Sequence, residues 1–252
     1  DLSSIPYHSS DYIHYLVEAE KRVYSDRAFF LGDSDFHDIP IDVLISDDYS
    51  NKRWESVDSI KATPSSELKH GNIVNYYDES EETTHYSIVD KWGNAVSVTT
   101  TINGWFGNGI VVDDSGFLLN NEMDDFSSKP GYPNKYGLIG NKANAIEPNK
   151  RMLSSMTPTI VEDSEGRLFL VLGSPGGSTI ITTVAQVFLN VVEKNMNIKS
   201  AVEQPRFHHQ WLPDKISFEY QAFSNETLLN LKERGHSYGF RYSIGEANCI
   251  KI

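Results

Sequence analysis

The sequence predicts an α+β layered sandwich from the order of its hydrophobic patterns. A long helical pattern opens the chain, the period then drops to two through paired strands, and a largely apolar helix follows before strands resume. Helix, strands, helix, strands is the order of segregated layers, not the alternation of a βαβ fold.

Each element has its own signal. Residues 9–30, SSDYIHYLVEAEKRVYSDRAFF, read as an amphipathic helix. Ser9, Ser10 or Asp11 can cap its first amides, and Ile13, Leu16, Val17 and Ala19 supply an apolar face. Residues 31–82 are rich in Asp, Ser, Pro and Asn and read as irregular structure with short helical turns. After Thr83, HYSIVDKWGNAVSVTTTI is two strands joined at Gly93-Asn94, and TPTIVEDSEGRLFLVLG repeats the design with a turn at Asp163–Gly166. Residues 178–195, STIITTVAQVFLNVVEKN, form a helix whose many Thr, Val and Ile residues lower its intrinsic propensity, so burial must hold it. SNETLLNLKERG is a shorter helix, capped by Ser224 and stopped by Gly235.

Composition excludes several classes. Hydrophobic residues make up 39% of the 252, enough for a real core, and no apolar run is long enough to span a membrane. No charged-then-apolar signal opens the chain. A formal net charge of -13 argues against a nucleic-acid partner. That charge is uneven. Residues 1–82 hold 18 Asp/Glu against 7 Lys/Arg, a net of -11, whereas residues 83–252 hold 17 against 15, a net of -2. The single cysteine, Cys249, excludes an internal disulfide and a Cys-based metal site.

The change of character falls at DESEETTHYS, residues 78–87, and draws attention to Thr83. A threonine hydroxyl needs an adjacent base, and a threonine at the start of a chain can use its own α-amine, whose ordinary pKa is roughly 7.7–8.0. Cutting Glu82–Thr83 would create that arrangement; otherwise Thr83-Thr84 simply begins a strand, where β-branched residues are favoured. GSPGGS, residues 173–178, lies between a strand and a helix. It lacks the lysine of a phosphate-binding loop; the Gly176 and Gly177 amides could form an oxyanion hole, or the stretch is a tight turn. Glu122 and Asp125, in NNEMDDF, could converge on an ammonium group or a metal, or form a solvated acidic turn; no further ligand clusters with them at metal spacing. Ser154 and Ser155 offer two hydroxyl donors to a carboxylate, or a turn. His208 and His209, adjacent in the chain, point to opposite strand faces and read as structural.

Taken together, TTHYSIVDKWGNAVSVTTTIN, GFLLNNEMDDFSSKPG, PNKRMLSSMTPTIV, GSPGGSTIITTV and PRFHHQWLP occur in the order found in γ-glutamyltranspeptidases. AEKRVYSDRAFFLGDSDF and TPSSELKHG extend the resemblance upstream, so that it covers essentially the whole chain. It implies an N-terminal nucleophile hydrolase fold, a four-layer αββα sandwich, incomplete in this stretch. Residues 1–82 would be the end of a large subunit and residues 83–252 most of a small catalytic subunit, separated by self-cleavage at Glu82–Thr83. Thr83 would be both the self-cleaving residue and the nucleophile, with Thr101 bonded to its side chain and Gly176 and Gly177 forming the oxyanion hole. Asn103, Glu122 and Asp125 would hold the α-amino group of a γ-glutamyl moiety, and Ser154 and Ser155 its α-carboxylate. KPGYPNKYG resembles the lid loop, with Tyr136 as its gating aromatic.

The implied substrates are glutathione and other γ-glutamyl compounds, with water, an amino acid or a dipeptide as acceptor. The implied partner is the rest of the large subunit. No cofactor, metal or nucleic acid is implied, and relatives suggest a periplasmic or secreted location. The resemblance also leads one to expect that the chain is part of a longer protein. An upstream arginine that pairs with the substrate carboxylate and a C-terminal DPR-type motif lie outside it. Same-fold alternatives are a β-lactam side-chain acylase or a poly-γ-glutamate-handling enzyme; a different class is a non-catalytic amino-acid binding module.

Overall fold

The first helix, α1 (Ser10–Phe30), begins where its cap predicts: Ser9, in extended backbone, accepts from the Tyr12 amide at 3.2 Å. The structure, a computed structural model, describes residues 2–68, 83–135 and 137–252. The burial of α1 departs from an amphipathic pattern. Leu16 and Ala19 are only half-buried, whereas His14, Glu18, Glu20, Lys21, Arg22, Ser25, Asp26 and Arg27 are buried beside Tyr12, Ile13 and Val17. Such charge survives burial only with partners. Glu18 accepts from Arg22 at 2.7 Å, Lys21 at 3.3 Å and the Thr63 amide at 3.0 Å. Glu20 accepts from the His209 amide at 2.9 Å, and burial raises its carboxyl well above the usual range. Among its described residues, 31–68, the polar stretch yields two short helices, α2 (Ile41–Leu44) and α3 (Asp47–Trp54).

Both predicted hairpins form. Strands β1 (Thr84–Val89) and β2 (Ala95–Thr100) pair antiparallel, and the Asp90 carboxylate holds the turn by accepting from the Trp92 and Asn94 amides, both at 2.9 Å. Strands β3 (Thr159–Glu162) and β4 (Leu168–Gly173) pair across a turn in which the Gly166 amide donates to the Asp163 carbonyl at 3.0 Å. A 3₁₀ turn (Gly177–Thr179) leads into α4 (Ile180–Val192), so the predicted helix is α-helical only over its central part. Short α5 (Ile198–Glu203) precedes β5 (Phe207–His208) and β6 (Ile216–Phe218). Helix α6 (Asn225–Glu233), capped by Ser224, precedes β7 (Tyr238–Phe240) and β8 (Asn248–Lys251).

The β1–β2 hairpin lies against the β3–β4–β8 sheet, and α4 and α5 cover that sheet's other side. The interface between the two sheets is tight and polar. Ser97 Oγ donates to the Leu172 carbonyl at 3.0 Å, Ser87 Oγ to the Asn248 carbonyl at 3.1 Å, and a Cβ on Gly173 would sit 2.1 Å from the His85 ring. On the helix side, Leu170 and Leu172 join Ile180, Val184, Val187, Val191 and Ala201 in an apolar core. Tyr86, Ile88 and Val96 remain exposed on the hairpin. The described layers are therefore hairpin, sheet and helices, three of the four expected.

The third sheet, β5–β6–β7, joins α1 and α6. Its core combines Tyr12, Ile13 and Val17 with Phe207, Ile216, Phe223 and Leu231, and a further cluster joins Tyr24, Ala28 and Leu68 to Ile139 and Trp211. Residues on both sides of Thr83 thus share two of the three cores. Among the described residues no helix is long and apolar enough to cross a membrane.

Candidate active site

The hairpin register brings the two candidate threonines together. Thr84 pairs with Thr100, so the residues next outward, Thr83 and Thr101, meet at the open end of the β1–β2 ladder. They line one narrow cleft with Asn103, Asp125, Ser154, Ser155 and Gly177, walled by Leu138, Leu153, Met156 and Ile180. Glu122 and Gly176 lie outside that lining. Glu82 and Tyr136, the residue before the expected cut and the expected gating aromatic, fall outside the described residues.

The glycine pair stands where β4 gives way to α4. Gly176 has φ +131°, which side-chain-bearing residues rarely adopt, and a Cβ there would lie 2.6 Å from Thr179 Oγ1 and 3.2 Å from Gly245 Cα. Its carbonyl accepts from the Thr179 amide at 3.0 Å and from Thr179 Oγ1 at 2.7 Å, which fixes the plane of the Gly176–Gly177 peptide. A buried network supports the turn from behind. Tyr24 Oη donates to the Ser178 carbonyl at 2.5 Å, Ser178 Oγ donates to Gln210 at 2.7 Å, and His208 lies 2.8 Å from both Gln210 Oε1 and Thr182 Oγ1. His208 and its neighbour thus have structural partners, as the sequence suggested; His209 contacts Asp214 at 3.2 Å.

The remaining cleft residues sit on loops. Asn103 adopts φ +69°; its Nδ2 donates to the Asn121 carbonyl at 3.1 Å, and the Gly104 amide returns a bond to Asn121 Oδ1 at 2.8 Å. Glu122 and Asp125 share one 3₁₀ turn (Glu122–Asp125). Desolvation, reinforced by Glu122, pushes the Asp125 carboxyl up to about 7, and Arg27 pulls it back. Burial also raises Glu122. Ser154 Oγ accepts from the Met156 amide at 3.1 Å, and Ser155 Oγ accepts from Arg27 Nη2 at 3.1 Å.

Four residues that brace these loops escape a reading of the sequence. Asn144 donates to the Asp125 carbonyl at 2.7 Å and accepts from the Leu153 amide at 2.9 Å, joining the acidic turn to the serine segment. Asp33 receives the Arg151 amide at 2.8 Å and its guanidinium at 3.0 and 2.5 Å, which holds the Asp33 carboxyl far below the usual range. Arg27 is the fourth. Asp33, Arg151 and Arg27 lie within the stretches that carried the family resemblance, but nothing in their spacing pairs them.

Two other features lack the chemistry of a site. A cleft of about 670 Å³ between α1 and α3 is lined by Tyr15, Leu16, Trp54 and Val57, with no charged side chain in its lining. His14, Glu18 and His236 bring ligand-type atoms within 4.8 Å of one another. Their hydrogen bonds are already made: His14 Nδ1 to His236 at 2.8 Å, His14 Nε2 to the Asp58 carbonyl at 2.7 Å, and Glu18 to two cationic side chains. A metal ion would have to displace Lys21 and Arg22 from Glu18.

The gamma-glutamyltranspeptidase family model matches residues 1–252. The chain is 48% identical to the glutathione hydrolase proenzyme of Escherichia coli (strain K12), over all of this chain and 43% of that relative, so it spans less than half of the relative's length. The structure of the Helicobacter pylori gamma-glutamyltranspeptidase T380A mutant matches 67% of this chain and 90% of that chain, at 56% identity and a TM-score of 0.65. A cephalosporin acylase from Bacillus halodurans, at 21% identity, shares the fold over 96% of this chain and 41% of its own, with a TM-score of 0.75. The chain belongs to the gamma-glutamyltranspeptidase family.

Proposed function

We propose that the protein to which this chain belongs transfers γ-glutamyl groups from glutathione and other γ-glutamyl amides to water or to amino-acid and dipeptide acceptors. One observation carries this reading: a hydroxyl, a glycine turn, a carboxylate and a serine pair converge on a single cleft. A γ-glutamyl amide is zwitterionic at one end and carries its scissile carbonyl at the other. Asp125 and Asn103 suit its ammonium, and the Ser154 and Ser155 hydroxyls suit its α-carboxylate. With the head held, the distant carbonyl is presented to Thr83.

The chemistry follows from the residues. In the precursor, the Thr83 hydroxyl attacks the Glu82 carbonyl and the peptide C–N bond breaks, which frees the Thr83 amine; water then hydrolyses the resulting ester, releasing the Glu82 carboxylate and restoring the Thr83 hydroxyl. In the mature form that amine takes the hydroxyl proton as Thr83 Oγ1 attacks the γ-carbonyl. The Gly176 and Gly177 amides offset the charge on the tetrahedral oxygen. The C–N bond breaks, the leaving amine receives the proton, and a γ-glutamyl ester remains. Water or an acceptor amine then takes the acyl group and regenerates the hydroxyl. The same reading includes a processed heterodimer and export to the periplasm or medium.

Intact mass of the full-length protein tests the reading. Wild type should give two pieces, one starting at Thr83, and turn over a γ-glutamyl anilide. Thr83→Ala should give one uncut chain with no turnover. A Thr83→Ala chain that still splits at Glu82–Thr83 overturns the self-cleavage.

A further inference from the structure

Arg27 stands in the last turn of α1, upstream of the cut, and its guanidinium is buried. With Asp125, Asn144, Leu138 and Leu153 it lines a second small pocket, and Asp125, Leu138 and Leu153 also line the Thr83 cleft. Its Nη2 donates to Ser155 Oγ at 3.1 Å. A hydroxyl that accepts from a guanidinium keeps its own proton for another partner, and the donated bond polarises that O–H. Arg27 also acts on the acid opposite. The groups that bear on Asp125 are Glu122 and Asp124 from its own turn, Arg27 from α1 and Lys135 from the following loop, and of the two cations Arg27 pulls harder. Burial draws the Arg27 guanidinium below its ordinary value, but an arginine remains cationic at neutral pH.

We propose that Arg27 is a positioning residue for the head-group end of the cleft, aiming the Ser155 proton at a ligand carboxylate and setting a cation in the pocket that it shares with Asp125, the partner of the ligand ammonium. The inference rests on the γ-glutamyl reading of the cleft and adds to it: the segment before the cut must stay docked after cleavage, because it carries the brace for both halves of the zwitterion. Arg27 touches no reacting atom, so its removal acts on binding and on pH dependence, not on the acyl transfer itself.

Kinetics of the full-length, self-processed protein test this with R27Q and R27K. For a γ-glutamyl anilide, R27Q should raise KM by roughly tenfold or more, the scale of a lost charge-assisted bond, with kcat within about threefold of wild type. The acid limb of kcat/KM should move to higher pH, because Asp125 then loses its stronger cation. R27K should restore the limb, which needs only charge, but not the KM, which needs the guanidinium fork. An unchanged KM with an unmoved limb overturns the proposal, as does a fall in kcat alone.

If R27Q is not processed, R27K is combined with S155A. A double variant no worse in KM than S155A alone supports action through Ser155, and multiplying effects overturn it. Calorimetry with L-glutamate separates this inference from the functional one. A wild type that binds glutamate but cleaves no γ-glutamyl amide refutes the function, and weaker glutamate binding by R27Q would still uphold the role of Arg27.

Discussion

On the proposed reading the cleft has an acyl end and a head-group end, and the two are built by different means. At the acyl end, Thr83 and Thr101 sit at the edge of a six-pair antiparallel ladder, and Gly177 opens the turn into α4. Backbone pairing over short separations in the chain holds the threonines, and the glycine turn adds side-chain support from Thr179, Tyr24 and Gln210. At the head-group end, Asn103, Asp125, Ser154 and Ser155 sit on loops and a single 3₁₀ turn, tied by side chains that reach across the molecule: Asn144 to Asp125 and Leu153, Asp33 to Arg151, Arg27 to Ser155. The difference teaches that chemistry and recognition should fail separately. Damage to the acyl end should distort the backbone proposed to stabilise charge, whereas damage to the head-group end should release one brace at a time.

The strongest test of that division is Gly176→Ala. The added methyl must fit at φ +131°, 2.6 Å from Thr179 Oγ1, so the peptide plane must turn. Losing an oxyanion donor should cost roughly 10²–10³ in kcat with little change in KM. A KM effect without a kcat effect would erase the distinction between the two ends.

Asp125→Asn comes next, on the recognition side. It should raise KM for a γ-glutamyl anilide by roughly 10²-fold, as expected for losing a charge-assisted partner of the ammonium, and leave a glutaryl anilide nearly unaffected. The pH dependence sharpens the test. Asp125 is pushed up to about 7, so it is anionic above that pH and neutral below it. On the proposed reading the grip on the ammonium is therefore lost as pH falls through 7. For the γ-glutamyl substrate, kcat/KM should fall more steeply below that point than for the glutaryl one. On the proposed mechanism the Thr83 amine would contribute a limb common to both substrates, so identical profiles would remove Asp125 from recognition.

Asn144→Ala should have the smallest effect. It leaves the Leu153 amide and the Asp125 carbonyl without this partner, at a cost of about 1–3 kcal/mol for each buried group left unsatisfied. Thermal melting should show the loss, and KM should rise several-fold while kcat stays near wild type. A kcat loss greater than the KM rise would mean that the brace also serves the acyl end.

The same contrast separates what could be read from the sequence. The acyl end was legible because its signals are local: alternation around Gly93-Asn94 sets the register that brings Thr83 opposite Thr101, and consecutive glycines before an apolar helix announce a special turn. Among the bracing residues, Arg27 lies in a stretch that reads only as an amphipathic helix, and Asn144 carries no signal in its spacing. The apolar face assigned to α1 was too narrow for the same reason. A helix enclosed by Thr63, Asp214 and His209 can bury Glu18, Lys21 and Glu20, and no periodicity of 3.6 announces partners dozens to nearly two hundred residues away. The parallel pairing of β6 with β7 across α6 and the addition of β8 to β4 also depended on distant chain.

By itself the sequence determined the α+β class, the two hairpins, the capped helices and the motifs that assign the family, because each depends on hydrophobic period, turn chemistry or a contiguous run of residues. Only the tertiary structure decided that residues on both sides of Thr83 share two cores, that one cleft gathers residues from 83 to 180, and that Arg27 reaches Ser155 behind it. Buried charges and loop braces gain their energy from partners brought close by folding, so their roles are written in distances in space and not in spacing along the chain.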